Sequence, residues 1–319
     1  MQRYDFISVF APYIVQFIDF KRNLGYKFHC TDYLCAFDRF AVLNECQTTE
    51  LSRELCDLWA EKRPNEADVT KYKRVSAVRN LSRFMNALGI PSYVPRLPGN
   101  CKSTFTPHIY NRDEINRFFS ECDKMPIASQ TYSAPLYPAL FRLLYGTGIR
   151  LGEAIALKHK DVNLTEKIIT LYETKNGEER LIPISDSLCE ILTEYASAFV
   201  NSKPGNYFFT KRNNTPISHS NAHYAFRYVL RESGISYRGR DNGPRIHDFR
   251  HTFSVHSMAK MAEDGLDLYY ALPILSKYLG HKSLEATDKY VRLTEEMFPS
   301  LLEKTNSICA YVFPEVSRL

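Results

Sequence analysis

Between residues 89 and 107 the chain carries Pro91, Pro95, Pro98 and Pro107 together with Gly89 and Gly99, and no regular helix survives such a run. Each proline fixes its own φ, lacks an N–H to donate, and pushes the preceding residue out of the helical region. The segment reads as a linker. It divides the 319 residues into a first part, 1–104, and a second part, 105–319, with the break near Lys102. A chain of this length suits two cores better than one. Hydrophobic residues at 44% and aromatics at 13% supply the apolar material and argue against general disorder.

Ahead of the linker, apolar residues recur at helical spacing. Phe10, Tyr13, Ile14, Phe17 and Phe20 line one face of a first helix, which Gly25 interrupts. A second opens near Thr31 and runs through Tyr33, Phe37, Phe40 and Leu43; a third, capped by Thr49 or Ser52, carries Leu55, Leu58 and Trp59. A fourth covers about 69–88 on Val75, Val78, Leu81 and Met85. It also bears Lys71, Lys73, Arg74, Arg79 and Arg83. These cations read either as a solvated face or as a basic helix set against the phosphates of a DNA groove.

After the linker, 111–122 and 136–145 read as helices. The run Lys167-Ile-Ile-Thr-Leu-Tyr-Glu-Thr174, then Lys175-Asn176-Gly177, then Arg180-Leu-Ile-Pro-Ile184 is a hairpin signal, because Asn and Gly tolerate the positive φ that a tight turn needs. The stretch 185–303 reads as mostly helical. The expected fold class is mainly α with a small antiparallel sheet (α+β).

The net charge of +5 permits a nucleic-acid partner without demanding one. Eight cysteines (Cys30, Cys35, Cys46, Cys56, Cys101, Cys122, Cys189 and Cys309) form no CxxC, so they read as mostly buried thiols in a reducing compartment, with no metal site among them. Tyr13, Gln16 and Asp19 interrupt the apolar start, which has no cleavage pattern, and no run reaches the roughly 20 apolar residues that a membrane span requires. A cytoplasmic protein is expected.

Four segments carry chemistry: Thr147-Gly-Ile-Arg-Leu-Gly-Glu153; Lys175 on the hairpin; His247-Asp-Phe-Arg-His251; and Leu279-Gly-His281 followed nine residues on by Tyr290. Singly, each has an ordinary explanation, such as an Arg150–Glu153 surface pair or a helix-ending Gly280. Together, two arginines, a lysine and two histidines suit the charge of a pentacoordinate phosphorane better than a neutral substrate. Guanidinium groups donate paired hydrogen bonds to phosphoryl oxygens and stay charged. Each well-placed donor is worth about 3 kcal/mol where charge develops.

In order and spacing these segments resemble the tyrosine recombinase or phage-integrase family. Ala156-Leu-Lys-His-Lys-Asp-Val162 is similar to the stretch that follows the family's first arginine, and Leu279-Gly-His-Lys-Ser-Leu-Glu-Ala-Thr-Asp-Lys-Tyr290 is similar to its nucleophile segment. The resemblance covers about 106–302 and extends to the first part only in size and helical character.

The resemblance implies a role for each matched position. Arg150 and Arg250 would hold the non-bridging oxygens of the scissile phosphate, and His281 would donate to the same oxygens. Lys175 would protonate the leaving 5′ oxygen. His247 would assist proton transfer at Tyr290, which would attack phosphorus and leave a 3′-phosphotyrosyl link and a free 5′ hydroxyl. Glu153 and Asp161 would orient their neighbours, and His251 would stand one step back as a supporting contact. A phenol with pKa near 10 is a weak nucleophile when protonated, so a base and a cationic site are needed. The covalent link conserves the phosphodiester's free energy, so the resemblance implies no metal, ATP or other cofactor.

It further implies a two-domain clamp on double-stranded DNA. Residues 1–104 would be a helical, SAM-like core-binding domain, and 105–319 the catalytic domain. A chain that is monomeric when free would assemble as a homotetramer on paired sites, with accessory DNA-bending or directionality proteins as further partners. No separate arm-binding module is expected ahead of residue 1. Met297, Phe298, Leu301, Leu302 and Ile308 would either pack at home or dock on a neighbouring subunit.

Three other readings compete with this one. His247 and His251 form an H-x-x-x-H pair as in zinc proteases, but Asp248 stands where those need glutamate, and Arg250 would repel the cation. A DNA-binding regulator without catalysis would not need every reactive position filled. A type IB topoisomerase shares the tyrosine chemistry, but the motif text is closer to the recombinases.

Overall fold

The computed structural model describes residues 5–26, 31–99, 106–125, 136–172, 179–197, 203–211, 215–237, 239, 243–281 and, beyond these, 283, 287, 288, 290, 293 and 294. The chain divides into two compact units, Met1–Thr104 and Phe105–Leu319. Lys175 and the apolar residues from Met297 to Ile308 lie outside the described residues.

In the first unit the helices are α1 (Ala11–Asn23), α2 (Thr31–Leu43), α3 (Arg53–Ala60) and α4 (Asp68–Ala87). Of the two cap candidates for α3 it is Ser52 whose hydroxyl accepts from the Leu55 N–H, at 3.1 Å. The core is built from Phe10, Ile14 and Phe17, then Phe37, Trp59, Val78, Leu81 and Met85. Phe37 and Trp59 meet edge to face at 5.2 Å. Phe20 and Leu58, expected on apolar faces, stay largely exposed at the margins of that core.

The basic run on α4 does not act as one face. Lys73 and Arg83 point to solvent, Lys71 is half-buried, and Arg79 donates to the Pro95 carbonyl. Arg74 is the exception that corrects the sequence reading, because it is only 2% exposed. Its guanidinium pairs with both oxygens of Glu66 at 2.8 Å, donates to the carbonyls of Trp59 and Glu61, and lies over the Trp59 ring. It clasps the loop between α3 and α4 and is not available to a phosphate.

The second unit packs α5 (Arg112–Asp123), α6 (Leu136–Thr147), α7 (Leu151–Ala156), α8 (Asp186–Ser197), α9 (His219–Glu232), α10 (Asp248–Glu263) and α11 (Leu268–Leu279) around one small sheet. Asn111 opens α5 with a reciprocal cap, accepting from the Glu114 N–H while Glu114 accepts from its own. The hairpin strands are β2 (Ile168–Leu171) and β3 (Arg180–Pro183), antiparallel with Ile169 opposite Ile182 and Leu171 opposite Arg180. A strand not read from sequence, β1 (Val162–Asn163), adds to the other edge of β2. Two residues are too short for alternation to register. The result is a mainly α protein with a three-stranded antiparallel sheet.

Phe249 sets the rotation of α10. Its ring sits among Phe118, Phe226 and Tyr110 at 5.1–5.6 Å. At 100° per residue, burying position 249 turns 247, 251 and 254 to the opposite side of the helix and sets 250 on its flank.

Two consequences are measurable. Removing Arg74 strands the buried Glu66 carboxylate, so Arg74→Ala should destabilise the chain by about 3–5 kcal/mol in urea denaturation. Burial pushes the Asp248 carboxyl up to about 6, against the pull of the Arg245 N–H at 2.8 Å. A carboxyl raised in the fold stabilises it below the unfolded value and loses that contribution as pH climbs through the folded one. Asp248→Asn should therefore gain stability relative to the parent between about pH 4 and pH 7, by up to about 3 kcal/mol.

Candidate active site

The turn between α6 and α7 presents Arg150 as the residue preceding α7. Its N–H donates to Glu153 Oε2 at 2.9 Å, and its guanidinium to Oε1 at 2.7 Å. Gly148 precedes it at φ +62°, where a Cβ would overlap the Phe253 ring, so this tight turn needs glycine. The open Gly148 carbonyl then accepts from Arg250 at 2.8 Å.

Arg250 is 3% exposed and satisfies its fork on three partners: Gly148 O, Leu279 O at 2.8 Å, and His281 Nε2 at 2.9 Å. Burial, then the Arg150 charge, lowers its pKa to about 10, which leaves it protonated at neutral pH. A guanidinium can only donate, so His281 Nε2 accepts and the ring proton sits on Nδ1, facing the Thr287 hydroxyl at 2.7 Å. The sequence expected His281 to donate to phosphate; in this arrangement its Nε2 is instead an acceptor.

Tyr290 is 1% exposed and packs against Val255, Met258, Leu275 and Leu279. Its hydroxyl meets His251 Nδ1 at 2.9 Å. Burial raises the phenol's pKa, while Arg250 draws it back down. His251 thus stands directly against the phenol, not one step behind it. His247, at the exposed start of α10, packs its ring edge-on to His251 with centroids 4.9 Å apart. Both histidines lie on the face opposite Phe249, and sequence spacing alone does not say which reaches the tyrosine.

Asp161 is buried, accepts from the Lys158 N–H at 2.9 Å and closes a short 3₁₀ turn, consistent with an orienting part. Beside Arg150 opens a groove of about 630 Å³, lined by Lys158, Lys160, Tyr172 and Tyr207 as well as Glu153 and Asp161. Among the described residues no group of three or more His, Cys, Asp or Glu could hold a metal, and no helix is long and apolar enough to cross a membrane.

One residue of the site escaped the sequence reading. Arg180, at the start of β3, pairs with Glu153 Oε2 at 3.0 Å and donates to the Leu279 carbonyl that Arg250 also uses. It shares the inward parity of the buried Ile182 two residues on, which is the signal that marks it as more than a surface charge.

The family model described as the phage integrase family matches residues 109–297. The protein y4rB of Sinorhizobium fredii, provisionally named an integrase/recombinase, is 30% identical over 93% of this chain and 97% of its own length. The tyrosine recombinase XerC of Chlamydia caviae is 27% identical over 73% of this chain and 70% of its own. Among solved structures, a lambda integrase dimer bound to a core site superposes with TM-score 0.59 at 15% identity, covering 89% of this chain and 77% of that one. The Tn1549 transposon integrase in complex with transposon right-end DNA superposes with TM-score 0.58 at 17% identity, over 92% and 100%. At such identities the structures speak for the fold, while the family match and y4rB speak for kinship. The chain belongs to the phage integrase family of tyrosine recombinases, the enzymes of site-specific DNA recombination.

Proposed function

We propose that the protein cleaves and rejoins double-stranded DNA through Tyr290, exchanging strands between two duplex sites without metal or ATP. The observation that supports this most is a phenol held 2.9 Å from an imidazole, beside a guanidinium that is itself bonded to His281, another phosphate-binding candidate. His251, with His247 behind it, takes the phenolic proton. The phenolate attacks phosphorus while Arg150 and Arg250 hold the non-bridging oxygens, where developing charge is most effectively stabilised. The P–O5′ bond breaks, and the 5′ oxygen takes a proton from Lys175. The free 5′ hydroxyl of another strand then reverses the step with the same groups. A phosphate oxygen that takes over the Arg250 N–H frees His281 Nε2 to be protonated and to donate in its turn. The guanidinium groups supply the charge stabilisation that a divalent cation provides elsewhere.

Residues 105–319 act in this reading as the catalytic domain. Residues 1–104 are the core-binding domain, with Lys71, Lys73, Arg79 and Arg83 as phosphate contacts. The protein works in the cytoplasm as a homotetramer on paired sites, assembled from chains that are monomeric when free.

The test is covalent capture. Purified protein is incubated with a pool of nicked duplexes of randomised sequence, and adducts that survive denaturation are recovered and mapped. DNA attached at Tyr290 supports the reading, and attachment elsewhere or none overturns it. Tyr290→Phe should abolish capture and keep duplex binding. Arg150→Ala and Arg250→Ala should each slow cleavage by about 10²–10³. His251→Phe should depress cleavage most at neutral pH and recover about tenfold per pH unit as the phenol itself ionises, since burial holds that pKa above its ordinary value. Replacing Lys73 or Arg83 by Ala should lower the slope of log K against log salt by about one each.

A further inference from the structure

Three guanidinium groups, those of Arg150, Arg180 and Arg250, converge on one carboxylate and one carbonyl. Glu153 takes Arg150 on Oε1 and Arg180 on Oε2, and the Leu279 oxygen takes both Arg180 and Arg250. Arg180 is thus the link that closes a chain from the first arginine through Glu153 and Leu279 O to the second. It comes from β3, the second of the two hairpin strands. Its side chain is about as buried as that of Glu153, so neither partner is readily replaced by water.

The fit at Leu279 is close. Gly280 lies at φ +67°, and a Cβ there would fall on top of the Arg180 guanidinium. The turn that delivers His281 is therefore moulded against Arg180, with no side chain between them. Arg180 spends its terminal nitrogens on Glu153 and Leu279 O, and its Nε has no hydrogen-bond partner among the described residues. Its position and hydrogen bonding suit a strut better than a phosphate ligand. It also leaves the cluster with three cations to one acid, and Arg180 is among the charges that lower Arg250's pKa. A site with that excess is completed by an anion.

We infer that Arg180 is a positioning residue for strand cleavage: through Glu153 it sets Arg150, and through Leu279 O and the Gly280 turn it sets His281. The inference rests on the cleavage chemistry proposed above. Without Arg180, Glu153 would still hold Arg150 from one side, but Leu279 O and the His281 turn would be held to the arginines by Arg250 alone, with no tie to Glu153. Misplacing a transition-state contact by about 1 Å costs on the order of 10²-fold in rate. Ground-state DNA binding, spread over many phosphates, would hardly change.

The experiment uses the duplex captured in the pool, resynthesised with its nick, under single-turnover conditions with saturating protein. Wild type, Arg180→Gln, Arg180→Lys, Glu153→Gln and the Arg180→Gln/Glu153→Gln double variant are compared for cleavage rate, duplex affinity and thermal unfolding. A wild type that forms no Tyr290 adduct overturns the function itself, separately from this inference. Given a reactive wild type, Arg180→Gln should cleave about 10²-fold more slowly with duplex Kd within about threefold. Arg180→Lys, which keeps the charge but cannot fork to both acceptors, should recover only part of that loss. The double variant should be no slower than the worse single variant, because both changes cut the same link. Wild-type cleavage by folded Arg180→Gln, full rescue by lysine, or multiplying defects in the double variant would each overturn the inference. Should Arg180→Gln not fold, the lysine variant decides it by the same rate criterion.

Discussion

A guanidinium buried as deeply as that of Arg250 is tolerated only when its donors are met, because an uncompensated charge away from water costs several kcal/mol. Its partners come from two separate stretches, the Gly148 carbonyl before α7 and, two residues apart at the end of α11, the Leu279 carbonyl and the imidazole of His281, which join α10 itself at this point. Satisfying one side chain therefore fixes where three distant segments meet. Phe249, one residue earlier, fixes it from the other side by locking α10 into the aromatic core. The cationic centre and the hydrophobic core are set by adjacent residues, about 100° apart around one helix.

That arrangement explains why Tyr290 is placed as it is. The phenol is nearly inaccessible and its proton is held tightly by burial, yet it touches His251 and lies within the field of Arg250. Desolvation makes the hydroxyl unreactive, and the neighbouring imidazole and guanidinium are the groups able to reverse this. An incoming phosphodiester would compete with His281 for the Arg250 N–H and supply the negative charge that the arginine cluster lacks. Reactivity in this account is conditional on that anion.

Much of this was legible in the residues and some was not. The two β-rich runs flanking Asn176-Gly177 were legible as hairpin strands, while the turn itself lies outside the described residues. The apolar spacing gave the helices, and Ser52 or Thr49 bracketed the start of α3. Arg74 was misjudged because a run of cations on a 20-residue helix does not reveal which of them turns inward. The parts of His247 and His251 were shifted because an i, i+4 pair shares one face, and only the packing of α10 decides which ring meets the phenol. Arg180 was missed because its partners, Glu153 and Leu279, lie 27 and 99 residues away. Local pattern carries no information about such a meeting.

The most direct test of the central claim is a structure of the Tyr290→Phe protein on its uncleaved duplex, in which chemistry is blocked but the site can assemble. The substituted ring should have left His251 and should face the scissile phosphorus in line with the 5′ oxygen, with Arg150 and Arg250 on the non-bridging oxygens. A phosphate bound by these arginines while the ring stays packed against Val255 and Leu275, with no other tyrosine in line, would contradict it.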